Sequence, residues 1–584
     1  MKLMKPMKLL LTLLGTAVFL TACASASLKQ DTQPAATLRA GSLEFSEAPT
    51  LARHANSVDM LYFNALNGLV LRRADDGSEQ VLNQDSEGDA RRAHAVLHSD
   101  GQALYALWRP KLIKAAEGVG VPGEKLVYFR ASLDGGKTFG PLQRLNQKGG
   151  AFKPFIASSG KGDVYVAWTD ERNSATSIDI YLNASNDRGA SWKKEDIKVN
   201  GSESTVSLNP SVVADGDRAY VSWMTVDKDK QFKIFVRATE DRGNSWLAPV
   251  AANTSVAQPA TPILTKTANG LLLCWGGLDA VRCSSSADHG KTWASSVAVP
   301  DSKGTAGLLL ETDPKGRAHL LIAKKSEDEK AAVNLFHAAS DGSNMFGPLQ
   351  RLSGGLPFKS SAILPGLTFG DDGSALATWV DMRYIRPVIA ANYSADGGKT
   401  WLASDVVLAA KKGMFHYFPT VSYAGAGKYS VAWQESAKRS EPGSMIGQME
   451  YRPGSSGVVM PPPDAARLKA RTDAFWKLRE EEKFEPIFDM LDPYFQEINT
   501  RKGYVNSQGS VKYFSHRLTG EPVIVGNRAT IKVAYESEVP ELMLKGKVVS
   551  VPRQEVEIDH EWVWVDGDWY QVFRDIFNGS AVPN

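Results

Sequence analysis

The sequence predicts a mainly β chain: a β-propeller of eight repeat units followed by a small α+β cone-like domain. Three observations predict it. An eight-residue motif recurs at blade-sized intervals, a proline–tryptophan pair recurs in a second phase, and both patterns stop near Arg452.

The motif is Ser/Thr-x-Asp-x-Gly-x-x-Trp/Phe. Its aspartate falls at Asp134, Asp187, Asp241, Asp288 and Asp396, with a worn copy at Asp341. In chain order these aspartates step by 53, 54, 47, 53 and 55 residues, the size of a four-stranded blade. In the second phase a proline opens a short apolar segment and a tryptophan follows 13 or 14 residues later. The pairs are Pro154 with Trp168, Pro210 with Trp223, Pro262 with Trp275, Pro365 with Trp379 and Pro419 with Trp433. Between them lie a strand, a turn such as Asp371-Asp372-Gly373, and a second strand rich in β-branched and aromatic residues. Trp108, with its opening proline replaced near His94, marks another unit, as do Pro49 with Tyr62 and the worn unit holding Ile322. The count is eight units from about residue 49 to 452, with seven blades as the alternative. The last unit lacks an outer strand, which Leu43-Glu44-Phe45 can supply to close the ring and remove a sheet edge.

These motifs resemble the Asp-box (BNR) repeats of sialidase-like propellers. The chemistry reads as structural. An aspartate in a tight turn accepts hydrogen bonds from nearby backbone N–H groups, glycine permits positive φ, and the closing aromatic packs between neighbouring sheets. The boxes are therefore fold staples, and no metal site or cofactor is expected.

After Arg452 a Pro/Gly-rich linker (453–463) leads to the second domain (464–576). Asp464 is a candidate N-cap for a helix through about Glu482. A second helical stretch holds Phe484, Ile487, Phe488 and Leu491. Strand-like runs follow at Ser510–Leu518, Arg528–Ser537, Val551–Val565 and Trp569–Arg574, with Asp566-Gly567 as a hairpin turn. The ending from Trp562 to Tyr570 resembles the last hairpin of nuclear-transport-factor-2-like (SnoaL-like) domains, a family of pocket enzymes and dimerisation or binding modules. Asp559 and His560 are the pocket candidates.

At the N-terminus three lysines precede an apolar run too short to span a membrane stably. It ends in Leu20-Thr21-Ala22-Cys23, which resembles the lipobox of bacterial lipoproteins. The resemblance implies a signal peptide (1–22), lipidation of Cys23, a tether (23–41) before the propeller (42–452), and a membrane anchor. Ala24 after the cysteine implies sorting to the outer membrane of a Gram-negative-type bacterium. The net charge of +2 falls to −1 without Lys2, Lys5 and Lys8, so no basic field for nucleic acid is present. Cys274 and Cys283 fall opposite each other if the intervening residues form a hairpin. Export permits a disulfide there; two buried thiols are the alternative.

Sialidases of this family hold a carboxylate with three arginines, whose planar forks suit it. They add a Tyr–Glu nucleophile pair and an Asp acid/base. Their first arginine lies in an Arg-Ile-Pro motif. The nearest string here is Tyr384-Ile385-Arg386-Pro387, in the wrong order and a late repeat. The remaining catalytic candidates are Asp170 with Arg172 and Asp381 with Arg383, in a repeated Trp-x-Asp-x-Arg pattern, and Tyr417. The bland reading of that pattern is an Asp–Arg pair that orders a recurring loop. Arg109 directly follows Trp108, where loops are expected to face one end of the ring, and Lys153, Asn209, Lys359 and His416 are expected to line the central funnel; Arg109, Lys153, Lys359 and His416 are the ligand-binding candidates. The reading carried forward is a non-catalytic propeller binding a glycan, peptide or protein partner at the cell envelope. The alternatives are an exo-sialidase-type glycoside hydrolase and an envelope scaffold forming a homodimer through the C-terminal domain. The sequence contains no Walker loop, His-Glu-x-x-His or Gly-x-Ser-x-Gly.

Overall fold

A computed structural model describes residues 36–39, 48–54, 57–64, 68–84, 89–111, 125–174, 177–201, 206–227, 229–256, 261–277, 279–325, 333–354, 361–437, 445–544, 547–575 and 579–580. The leader, Cys23, Leu43–Phe45 and Lys359 lie outside these residues. The chain is mainly β and propeller-like. Its strands form eight successive antiparallel units of four, the third and fourth joined by one parallel bridge between Ile178 and Val206. The first strands of the units are, in order, Thr50–His54, Asp89–Ser99, Ala151–Ser158, Val206–Asp215, Ile263–Thr267, Thr305–Thr312, Ala362–Phe369 and Phe415–Gly425. Each packs against the first strand of the next unit, and the eighth packs against the first.

Packing between units explains the tryptophan phase. Trp108, Trp168, Trp223, Trp275, Trp379 and Trp433 lie on the second strands and are fully buried. Trp168, for example, packs with Leu107, Val127 and Phe129 of the preceding unit. Truncating one such side chain to alanine costs about 3–5 kcal/mol, because the cavity cannot collapse. The closing aromatic of each Asp box adds an edge contact to the same seam: Trp192 meets Phe129 with centroids 4.9 Å apart.

The eighth unit takes its fourth strand from the N-terminal side. Ala36–Arg39 pairs with Met445–Tyr451, which corrects the expectation that Leu43–Phe45 fills that place. Ala36–Arg39 satisfies the edge N–H and C=O groups and lies several residues upstream.

The C-terminal region opens with helix Ala465–Glu480, capped by the Asp464 carboxylate, which accepts from the Arg467 N–H at 3.0 Å. Leu468, Thr472, Phe475 and Trp476 recur on one face and are buried. Short helices at Phe484–Ile487, Pro493–Ile498 and Arg501–Asn506 follow; the last two have no counterpart in the sequence reading. The sheet comprises Lys512–Leu518, Val523–Val525, Arg528–Leu544, Lys547–Val565 and Asp568–Gln571. Its two central strands run longer than expected and make one long hairpin. This region docks on the seventh unit. Ile385 shares an apolar cluster with Val563, Val565 and Val572. Asn527 Nδ2 donates to the Arg383 carbonyl at 2.8 Å. Asp566 pairs with Arg386 and accepts from the Gly413 N–H at 3.1 Å.

Candidate functional site

Strand direction alternates within a unit, so each unit has two unlike ends. One end carries the first-to-second hairpins and the Asp boxes. The other carries the second-to-third and fourth-to-first connections and is called the mouth end below.

The boxes are self-contained. Asp288 accepts from the Thr292 N–H at 2.9 Å, the Thr292 hydroxyl at 2.6 Å and the Ser286 hydroxyl at 2.8 Å, while Ser286 Oγ accepts from the Gly290 N–H. Asp134, Asp187, Asp241 and Asp396 repeat this set. The Thr292 hydroxyl, then its N–H, holds the Asp288 carboxyl down to about 2. The carboxylate of the worn Asp341 accepts from Ser343 and Met345.

At the mouth end the two Trp-x-Asp-x-Arg segments are closed ion-pair clamps. Arg172 Nη2 reaches Asp170 at 2.7 Å and Asp196 at 2.8 Å, and the guanidinium lies 3.9 Å over the Tyr181 ring. Arg383 is held the same way by Asp381 at 2.7 Å and by Asp405. Asp196 also accepts from the Gln147 N–H, and Asp405 from the Gly354 N–H, each at the end of the preceding unit. Each clamp thus ties a second strand to its own fourth strand and to the neighbouring unit. Burial works to raise the Asp381 carboxyl, and the Arg383 guanidinium more than reverses it. Gly150 fits here only as glycine: a Cβ would lie 2.6 Å from the Arg172 nitrogen and from Asp170 Oδ1. With two carboxylates each, neither arginine presents a fork to a ligand.

Arg109 differs. It is half-buried and no carboxylate pairs with it among the described residues; its buried Nε, like that of Arg172, has no hydrogen-bond partner among them. Desolvation alone lowers its pKa. Lys125 lies close enough that Arg109's charge, after desolvation, lowers its pKa too. Lys125 pairs with Glu171 and sits over the Phe152 ring at 5.8 Å. One residue on, Lys153 is exposed and without an ion pair among the described residues.

Lys153 marks a recurring backbone feature. In four units two residues oppose a single tryptophan: Lys153-Pro154 against Trp168, Asn209-Pro210 against Trp223, Leu364-Pro365 against Trp379, and Phe418-Pro419 against Trp433. The residue before each proline is left-handed, with φ of 49°, 56°, 52° and 51° respectively. A non-glycine residue in that region costs about 1–3 kcal/mol, and a following proline disfavours it further. Such bulges re-aim side chains.

Other candidates fall elsewhere. His416 is buried: Nε2 accepts from the Lys411 N–H at 3.4 Å, so Nδ1 carries the proton and donates to the Pro387 carbonyl at 3.2 Å. This corrects its placement on the funnel wall; burial makes it a core histidine held neutral, with its pKa lowered. Tyr417 stacks beside Phe415 and Phe418. Glu311, on the first strand of unit six, is exposed. Cys274 and Cys283 face each other in register and are joined by a disulfide. His560 points into the C-terminal core among Phe475, Trp476 and Trp562, whereas Asp559 on the opposite face is exposed. Among the described residues no group of three His, Cys, Asp or Glu is placed to hold a metal ion, and no helix is long and apolar enough to cross a membrane.

Asp196 and Asp405 carry no sign of their role in the local sequence, and Asp566 reads there only as a turn residue. The first two lie 24 and 22 residues after their arginines, a recurring offset that a unit-by-unit comparison of acidic residues can find.

Together these features define a propeller-like β protein whose chemistry-bearing side chains gather at the mouth end. No family model matches the chain, and no curated protein matches it. Among solved structures it is similar to an α-L-arabinanase from Penicillium chrysogenum complexed with arabinobiose (13% identity, 72% of this chain and 98% of that one, TM-score 0.36). It is also similar to a Hadza microbial sialidase (14%, 67% and 72%, TM-score 0.35) and to a leech intramolecular trans-sialidase (11%, 74% and 95%, TM-score 0.33). Likeness at this level assigns no activity, substrate or site residue to the chain.

Proposed function

We propose that the chain is an envelope-anchored, non-catalytic propeller, lipidated at Cys23, whose eight units form the blades of one closed ring. It captures a glycan, peptide or protein ligand at the mouth end. The C-terminal region is a nuclear-transport-factor-2-like module. One contrast carries the reading. The arginines of the repeated pattern are paired with aspartates, whereas among the described residues Arg109 has no carboxylate partner, is partly desolvated and lies near Lys125. A desolvated cation without a counter-charge is costly, and an anionic ligand group would supply one through charge-assisted hydrogen bonds. A carboxylate-gripping arginine triad of the glycosidase kind has no such support, because two of its natural members are closed.

The test uses the full-length chain against acidic and neutral oligosaccharides and peptides at low and high salt, with a fluorogenic sialoside in parallel. Acidic ligands bind, binding weakens with salt, and the sialoside is not turned over. Fluorophore release by the wild type, lost in Arg172→Ala and Arg383→Ala, supports the hydrolase instead.

Exposed apolar side chains on the C-terminal sheet favour a second reading, the dimeric scaffold. Met543 and Val548, paired near the tip of the long hairpin, are 68% and 64% exposed, and single-chain proteins seldom leave such side chains gathered. Light scattering on the delipidated chain decides it: a mass twice that of the chain supports the scaffold, a monomer at micromolar concentration removes it.

A further inference from the structure

The four proline bulges point to the chemistry of the ligand; this inference rests on the ring and the binding role proposed above. In a closed ring of eight, units three and seven stand opposite each other, as do units four and eight. Lys153 and Asn209 therefore occupy one wall of the mouth, and Leu364 and Phe418 the wall facing it. First strands have a first strand on either side, so the solvent they meet is that of the central opening. Lys153 is exposed, Asn209 half-buried, and Ile363 and Leu364 are 37% and 39% exposed. Phe155, deeper on the strand of Lys153, is 39% exposed. The mouth is thus a cation and an amide facing aliphatic and aromatic side chains.

Each of the four presenting residues sits in a left-handed conformation that glycine would adopt freely. A purely structural bulge needs no side chain there. Non-glycine residues of unlike chemistry at all four point to the side chains as the reason the strain is kept.

We infer that the mouth takes the C-terminal end of a peptide. Its carboxylate meets Lys153 and Asn209, and its last apolar side chain lies against Ile363, Leu364 and Phe418. Branched aliphatic groups match an apolar peptide side chain, and few but placed polar groups suit carboxylate capture. Among the described residues the four bulges bring together one cation, one amide and two apolar side chains, a set that suits a peptide end better than the ring hydroxyls of a glycan.

The experiment measures binding of a synthetic random-sequence peptide pool, with free C-termini and as C-terminal amides, to the full-length chain and to Lys153→Gly, Asn209→Gly, Leu364→Gly and Phe418→Gly. Glycine relieves the backbone, so each variant keeps or raises its Tm. The expected result is enrichment of peptides ending in an apolar residue, with amidation weakening the wild type about tenfold or more, a difference of 1.4 kcal/mol. Lys153→Gly removes the acid-over-amide preference, and Leu364→Gly and Phe418→Gly remove the apolar preference. Peptide binding that is indifferent to the carboxylate, or unchanged in all four variants, overturns the inference while leaving the binding role standing. Capture of an oligosaccharide, weakened by the same variants, overturns the peptide and keeps the mouth. If neither class binds the wild type at millimolar concentration, the inference fails together with the binding role.

Discussion

At the scale of single residues, direction can be assigned to a buried chain at the seam of units six and seven. An indole N–H only donates, so Trp401 Nε1 donates to His337 Nδ1 at 3.1 Å. The His337 proton is then on Nε2, which donates to His319 Nδ1 at 3.0 Å, and His319 Nε2 donates to Asp313 at 3.3 Å. Gly398 leaves room for it: a Cβ there would lie 2.9 Å from the His337 ring. Burial pushes His319 down to about 4 and His337 to about 3. Both folded values lie below the unfolded 6.5, so the unfolded chain binds protons first. The stability from the neutral pair is complete above pH 6.5 and is lost as pH falls toward 4 and then 3. Tm of the wild type should drop across that window, and the drop should be shallower in the His319→Gln/His337→Gln double variant; equal slopes would contradict the assignment.

At the scale of elements, legibility follows from locality. The Asp boxes are readable because the bonds that hold each box aspartate lie within the same eight residues, as between Asp288 and its partners Ser286 and Thr292. The second-strand tryptophans were readable because alternation and a preceding turn place them. The proline bulges were half readable. The Pro154–Trp168 spacing is visible in the sequence, but a left-handed Lys153 runs against its own local preference and is set by the opposing strand. The partners of Arg172 and Arg383 were hidden for the same reason: Asp196 and Asp405 arrive from the fourth strand of the unit. His416 looked like a funnel residue by position along its strand. Its side-chain direction depends on the Pro387 carbonyl of the preceding unit, which no local pattern shows.

At the scale of the whole molecule, the repeat count follows from the sequence, whereas the junctions between distant segments do not. Ala36–Arg39 completes the eighth unit, and Asp566 joins the C-terminal region to two connections at the mouth end, at Arg386 and Gly413. Tyr384-Ile385-Arg386-Pro387, the string closest to a sialidase arginine motif, serves as the seat of that region, with Ile385 buried against Val563. The mouth end thus divides into closed clamps at Arg172 and Arg383, a docked module beside units seven and eight, and an open cationic side at Arg109 and Lys153. Isothermal titration of an acidic ligand into the wild type, Arg109→Ala and Arg172→Ala, with a thermal scan of each, tests that division most directly. Arg109→Ala should lose about tenfold or more in affinity with Tm nearly unchanged, while Arg172→Ala should lower Tm and keep the affinity of its folded fraction. The reverse pattern, with affinity lost at Arg172 and kept at Arg109, would contradict the account.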